Sequence, residues 1–93
     1  MYAVVLSGRV RKSLHKYGRS GSFPQEKFRQ AIMCLRQGNK LPQSYKDHAL
    51  KGELGVYREF HLGYDLLVQY KRNEEKRVIT LSNIGTHTEL FGG

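Results

Sequence analysis

Three strand-like segments follow one another closely in the second half of this chain, at residues 55–62, 65–71 and 77–81 or a little beyond. Apolar and polar side chains alternate in the first two, as in a strand with one buried face. Gly63 permits a reversal between them, and the charged residues 72–76 form a second hairpin tip. Such short connections join neighbouring antiparallel strands, so the segments predict a three-stranded antiparallel sheet.

The first half of the chain predicts one strand and two helices. Residues 2–7 contain an apolar run that we expect to form a buried or central strand. A basic helix follows over 9–17, and a second helix runs to about Gln37 from a capping box of Ser22 and Gln25. Apolar residues at helical spacing support both: Val10, Leu14 and Tyr17 in the first, and Phe28, Ala31, Ile32 and Leu35 in the second.

The order of elements defines the fold class. Residues 41–54 are interpreted as an exposed, ordered loop, and residues 86–91 as one helical turn. The chain therefore has the order β-α-α-β-β-β, which predicts a single α+β domain over residues 1–93. We expect both helices to pack on one face of the sheet and to leave the opposite face open for a partner.

The charge of the chain points to a polyanionic partner. Sixteen Lys and Arg residues against eight Asp and Glu residues give a formal net charge of +8. The single cysteine, Cys34, excludes an internal disulfide and is expected in the core, so a reducing, cytoplasmic location is the default. No segment has the length of a signal-peptide core or a membrane span, so the protein is expected to be neither exported nor embedded.

Three histidines can converge at one end of the predicted sheet. His48 lies in the loop, His61 at a strand end and His87 in the turn after the last strand, while Asp65 begins the strand beside His61. Imidazole titrates near pH ~6.5, which suits proton transfer at neutral pH. The set is compatible with RNA cleavage in which the ribose 2′-hydroxyl attacks its own 3′-phosphate, a reaction that needs a base, an acid and cations but no metal or other cofactor.

Candidates for the remaining roles are basic and aromatic residues. The cations are Lys46, Lys51, Arg58 and Arg77, and the residues for stacking on an unpaired base are Tyr45, Tyr57 and Phe91. Two other interpretations stay open. One is a noncatalytic basic module that binds RNA or the ribosome. The other is a zinc site of His48, His61, His87 and Asp65, which the absence of closely spaced histidines disfavours.

Four short motifs together resemble one family of bacterial toxins. They are YKDHALKG at residues 45–52, YREFH at 57–61 followed by Asp65, GTH at 85–87 and LFG at 90–92, and an entry of Leu41 and Pro42 precedes the first. As a set they resemble the YafQ branch of the RelE superfamily of toxin-antitoxin toxins. The resemblance covers essentially the whole chain.

This resemblance implies a RelE-like fold and a ribosome-dependent endoribonuclease that cuts mRNA in the decoding site. It also implies a cognate antitoxin, with an acidic segment, that holds the toxin inactive in a hetero-oligomer. The active residues carried over by the motifs are His48, His61, Asp65, His87 and Phe91.

The resemblance further suggests a role for each of these residues. His48 and His87 would form the base and acid pair, His61 would contact phosphate, Asp65 would orient an imidazole, and Phe91 would stack on a base. One position departs from the pattern. A relative can carry a basic residue where this chain has Asn83, so we expect Arg58 or Arg77 to substitute for it.

Overall fold

The computed structural model describes residues 1–52 and 56–92. Its elements are β1 (Ala3–Leu6), α1 (Gly8–Gly18), α2 (Gln25–Arg36), a 3₁₀ turn (Gln43–Tyr45), β2 (His48–Ala49), β3 (Tyr57–Gly63), β4 (Leu66–Asn73), β5 (Val78–Gly85) and α3 (His87–Phe91). The predicted strand start at Gly55 and the predicted loop end at Leu54 lie outside the described residues. Within those residues, no helix is long and apolar enough to cross a lipid bilayer.

The five strands form one sheet in the order β1-β5-β4-β3-β2. Strands β2 to β5 pair antiparallel, as the short connections predict, and the α+β class is confirmed. Strand β1 pairs in parallel with β5, from Ala3 opposite Val78 to Leu6 opposite Leu81. The prediction of a buried or central strand is therefore wrong, because β1 lies at an edge of the sheet and its residues are exposed or half-buried. An apolar run indicates that a strand contacts a core, but pairing partners decide whether it lies at an edge.

Both long helices cover one face of the sheet, as predicted. Buried residues of α1 and α2 share a single core with alternate residues of β3, β4 and β5. This core contains Val10, Ala31 and Leu35 from the helices, and Phe60, Leu62, Val68, Tyr70, Ile79, Leu81 and Ile84 from the strands. Cys34 packs against it as a half-buried side chain, and the helices leave the other sheet face uncovered.

The capping box lies at the third helix instead of the second. Helix α2 begins at Gln25 with Pro24 as its N-cap and no side-chain cap, while the Ser22 hydroxyl contacts that of Ser20 at 3.2 Å. Proline already fixes a backbone angle close to that of a helix, so α2 begins without the serine. In α3, the Thr86 hydroxyl accepts from the Glu89 amide and the Glu89 carboxylate accepts from the Thr86 amide.

The segment after α2 is less exposed than the sequence suggests. The Tyr45 side chain is buried, packs edge-on against Phe60 at 5.8 Å and donates a hydrogen bond to the Lys27 carbonyl. Stacking of Tyr45 on a base is therefore excluded in this structure. Lys46 then adopts a left-handed backbone conformation (φ 53°), which turns the chain so that His48 and Ala49 can pair with β3.

Candidate active site

The short strand β2 places one histidine directly beside a buried carboxylate. His48 is paired with Glu59 of β3, and His61 lies two residues further along β3 on the same face. The Nε2 atom of His48 is 3.4 Å from Oε2 of Glu59, and the two imidazole rings are 6.2 Å apart between centroids. All three side chains lie on the sheet face that the helices leave uncovered.

Oxygen atoms lie beside both ring nitrogens of His48. Its Nδ1 atom is 2.7 Å from the Lys46 carbonyl oxygen, which can only accept, so Nδ1 is the donor in this contact. Its Nε2 atom faces the Glu59 carboxylate. These two contacts fix the orientation of the ring on the sheet face.

Glu59 is a site residue that the sequence analysis did not select. It is only 5% exposed, its Oε1 atom accepts from Nε2 of Gln69 at 3.2 Å, and its other oxygen faces His48. A buried carboxylate is costly unless it is hydrogen-bonded or paired with a cation. In the sequence Glu59 looks like an ordinary polar residue of an alternating strand. Only its pairing with the two-residue strand β2, which has no periodicity to detect, distinguishes it.

The surroundings of His61 favour its neutral form. Burial lowers its pKa below the ordinary value of 6.5, the Glu59 carboxylate is the next largest effect and acts in the opposite direction, and Lys46 and His48 lower the pKa further. The imidazole is therefore neutral at pH 7 and can accept a proton.

The C-terminal site residues lie at the same end of the sheet as His61. The register pairs His61 with Leu67 and Leu67 with Gly85, two residues before His87, so His61 and Gly85 are about 10 Å apart. Asp65 accepts from the backbone amide of His87 at 2.9 Å, and the Phe91 ring lies 4.9 Å from that of His87. Asp65 thus holds the backbone at the start of α3, whereas the sequence analysis expected it to orient an imidazole ring.

Helix α3 is also held by α1. The Tyr17 hydroxyl donates to one oxygen of Glu89 at 2.6 Å, and the Lys16 ammonium contacts the other at 3.0 Å. The bond from Tyr17, the Thr86 amide and Lys16 together lower the pKa of Glu89 to about 2. Burial and the same carboxylate raise the pKa of Tyr17 to about 12. The contacts of Tyr17 and Lys16 with Glu89 therefore orient the segment that carries His87 and Phe91.

Two of the predicted cations lie away from the histidines. Arg58 donates to Asp47 at 3.2 Å on the opposite face of β3. Arg77 lies at the far end of β5, with its guanidinium 5.1 Å from the centre of the Tyr2 ring. The expectation that one of these arginines replaces a basic residue at the position of Asn83 is wrong. Strand alternation places Arg58 on the other face of the sheet, and the length of β5 separates Arg77 from Asn83. Lys46 and Lys51 are exposed in the segment that carries His48.

The histidine cluster also has the composition of a metal site. One ligand atom each from His48, Glu59 and His61 lies within 4.8 Å of the others. Two imidazole nitrogens and a carboxylate oxygen are ligands that zinc accepts. In the described part of the chain, His87 and Asp65 do not join this group, so the zinc set considered from the sequence is not the one that assembles.

Comparison with known proteins places the chain among bacterial toxins. Residues 2–92 match a family described as bacterial toxin of type II toxin-antitoxin system, YafQ. The putative toxin YafQ of Haemophilus influenzae is 37% identical over 65 residues, which are 68% of this chain and 64% of that protein. The mRNA interferase toxin YafQ of Escherichia coli K12 is 38% identical over 63 residues, 66% of each chain. These alignments span just under two thirds of either relative.

Solved structures match over nearly the full chain. A metal-bound toxin from Helicobacter pylori superposes with a TM-score of 0.87 at 33% identity, covering 98% of this chain and 100% of that one. A chain of the E. coli DinJ-YafQ toxin-antitoxin complex gives 0.85 at 27% identity, covering 98% of both chains. With the family match over residues 2–92, these similarities establish that the chain belongs to the YafQ family of toxins of type II toxin-antitoxin systems.

Proposed function

We propose that this protein is a ribosome-dependent mRNA endoribonuclease, acts in the cytoplasm as one domain spanning residues 1–93, and is neutralised by a cognate antitoxin. The observation that carries the proposal is the pair formed by His48 and His61, whose ring centroids are 6.2 Å apart, with the Glu59 carboxylate beside His48 and with burial lowering the pKa of His61. Both lie on the uncovered face of a chain with a net charge of +8. The E. coli relative named an mRNA interferase supports the reaction class.

The proposed reaction is a metal-independent transesterification. Neutral His61 takes the proton of the ribose 2′-hydroxyl, and the 2′-oxygen forms a bond to phosphorus. The bond from phosphorus to the 5′-oxygen breaks, and His48 gives its proton to that oxygen. The products are a 2′,3′-cyclic phosphate and a 5′-hydroxyl. Glu59 acts as a positioning residue, because its buried carboxylate lies 3.4 Å from Nε2 of His48 and orients that ring.

This assignment changes two roles expected from the sequence. His61 replaces His87 as the partner of His48, because the rings of His48 and His61 are adjacent and burial favours the neutral form of His61. His87 is exposed at the start of α3 and is proposed to contact the phosphoryl oxygens. Phe91, which is 41% exposed, is proposed to stack on a base of the substrate.

The remaining assignments concern substrate charge and the partner protein. Lys46 and Lys51 are proposed to attract the RNA backbone near His48. An antitoxin with an acidic segment would complement the net charge of +8 and could cover the uncovered sheet face in a hetero-oligomer. The solved complex of the E. coli relative with DinJ supports a partner of this kind.

The test is a primer-extension map of one mRNA in a purified translation system. We compare the wild type with His48→Ala and His61→Ala, and use His15→Ala as the matched control because that histidine lies on α1. New 5′ ends that appear only with ribosomes, persist in the control and are lost in both site variants would support the proposal. Stalled ribosomes without new ends in any of the proteins would instead indicate the noncatalytic binding module.

A further inference from the structure

A cavity of about 380 Å³ opens on the uncovered sheet face beside the histidine cluster. Its walls include Tyr57 of β3, Gln69 of β4, Asn83 of β5, Leu50 after β2 and Arg9 at the start of α1. The volume is within the range of small-ligand sites, and the lining combines apolar surface with a few polar groups. The proposed reaction uses none of these five side chains.

Hydrogen bonds connect this cavity to the proposed reaction centre. Asn83 donates from Nδ2 to Oε1 of Gln69 at 3.3 Å, and Gln69 donates from Nε2 to Glu59 at 3.2 Å. The strand register places Glu59, Gln69 and Asn83 opposite one another on adjacent strands. A ligand in the cavity would therefore lie directly next to a phosphate held between His48 and His61.

Arg9 gives the cavity an exposed cation. Its Nη1 atom donates to Oδ1 of Asn83 at 3.4 Å, a long bond to a neutral amide. Among the ion pairs of the described residues, Arg9 takes part in none, whereas Arg58 is paired with Asp47 and Arg29 with Glu26. An exposed guanidinium can form strong charge-assisted hydrogen bonds with a phosphate.

Tyr57 and Leu50 give the same cavity an apolar wall. Tyr57 is half-buried and lies two residues before Glu59, so it shares the uncovered face. An aromatic ring beside an exposed guanidinium is a combination that binds an unpaired nucleotide, because the base stacks and the phosphate pairs with the cation.

We propose that this cavity binds the nucleotide adjacent to the cleaved one, with its base against Tyr57 and Leu50 and its phosphate on Arg9. The inference rests on the proposed endoribonuclease function and adds a substrate subsite to it. Arg9 is a binding residue for the flanking phosphate and takes no part in proton transfer. By binding this nucleotide, the subsite determines which phosphate of the mRNA lies between His48 and His61.

The experiment compares Arg9→Ala with Arg11→Ala, which removes the same charge from another exposed position of α1. The concentration of protein that gives half-maximal mRNA cleavage is measured in the purified translation system at several salt concentrations. We expect Arg9→Ala to raise this concentration about 10-fold, as loss of a charge-assisted hydrogen bond predicts. In Arg9→Ala, the slope of the logarithm of this concentration against the logarithm of the salt concentration should fall by about one. In Arg11→Ala, the half-maximal concentration should stay within about 2-fold of wild type.

Two further variants separate charge from shape. Arg9→Lys keeps the charge and should recover part of the loss, and Tyr57→Leu keeps an apolar wall without a stacking ring and should redistribute the cut positions. Equal behaviour of Arg9→Ala and Arg11→Ala in a protein that cuts mRNA would overturn the subsite and leave the proposed function standing. A wild-type protein that produces no cuts at all would overturn both.

Discussion

Two carboxylates on opposite faces of strand β3 have different surroundings. On the helix-covered face, Asp47 accepts from Arg58 at 3.2 Å and from the Tyr70 hydroxyl at 2.9 Å. On the uncovered face, Glu59 accepts from the neutral amide of Gln69 and faces His48. Both are acidic groups near a basic side chain, and both are shielded from water. They differ in whether the basic partner can lose its charge near neutral pH.

This difference separates a pair that stabilises the fold from a pair that is proposed to take part in the reaction. Arginine keeps its proton at all physiological pH values, and burial together with Asp47 raises the pKa of Tyr70 to about 12. Both partners of Asp47 therefore keep their protons at neutral pH, and this group stabilises the fold. An imidazole can gain or lose a proton near neutral pH, so the group around Glu59 is the one proposed to act on a substrate. Mutations at the two carboxylates should accordingly affect different properties.

Of the changes at these two carboxylates, the larger effect is expected from Glu59→Gln. The amide keeps the size of the side chain and can still accept from Gln69, but it removes the negative charge beside His48. We expect cleavage on ribosomes to fall about 100-fold, the lower end of what a positioned acid-base group contributes, with a melting temperature close to wild type. A loss of cleavage that only parallels a loss of folded protein would instead indicate a purely structural role for Glu59.

Asp47→Asn is the matched change on the covered face. It leaves Arg58 without its ionic partner and weakens the bond from Tyr70, so we expect a loss of about 2 kcal/mol in the free energy of unfolding. Urea denaturation monitored by circular dichroism measures this loss. The cleavage rate of the folded fraction should remain within about 2-fold of wild type. A large loss of activity in fully folded protein would contradict the division between the two faces.

The pH dependence of His61 sharpens the same comparison. Because burial lowers its pKa, this imidazole stays neutral, and active as a base, to a lower pH than an ordinary histidine. Its contribution to stability is present above pH ~6.5 and is lost as the pH falls through the lower folded-state value. Cleavage rates measured from pH 5 to 8 should decline on the acid side with a midpoint below 6.5. His61→Ala should remove most of the activity, and the remaining rate should no longer decline on the acid side with this midpoint.

The smallest effect is expected from Glu89→Gln, which weakens the contact of α3 with Tyr17 and Lys16. Because Glu89 is exposed, we expect a loss of no more than about 1 kcal/mol in stability. The contribution of the carboxylate is present above its ordinary pKa of 4.5 and is lost as the pH falls towards 2. Melting curves at pH 7 and pH 3 measure it. If the melting temperatures of the variant and the wild type differ by the same amount at pH 7 and at pH 3, this account is contradicted.

The sequence predicted those parts of the fold that depend on local periodicity. Both amphipathic helices, the two hairpins and the α+β class follow from side-chain spacing, which backbone geometry imposes directly. The position of β1 and the burial of Tyr45 could not be predicted in this way. Both depend on contacts between residues far apart in the chain, such as Tyr45 with Lys27 and Phe60.

The same limit applies to the candidate site. His48, His61 and His87 were selected from their chemistry, and the structure brings the first two together. Arg58 and Arg77 were selected from their charge alone, but strand alternation places one on the other face and strand length places the other at the far end. Glu59 and Arg9 could be identified only after the register of β2, β4 and β5 was known.

The parallel pairing of β1 with β5 determines when the site can form. A chain synthesised from its N-terminus holds Ala3–Leu6 without this partner until Val78–Gly85 has been made. Contacts so distant in sequence close slowly, because the loop entropy is lost before the contacts compensate for it. His87 and Phe91 follow β5 directly, so the sheet and the C-terminal part of the site are completed in the same step. An unfinished chain therefore lacks both the paired β1 strand and the C-terminal part of the proposed site.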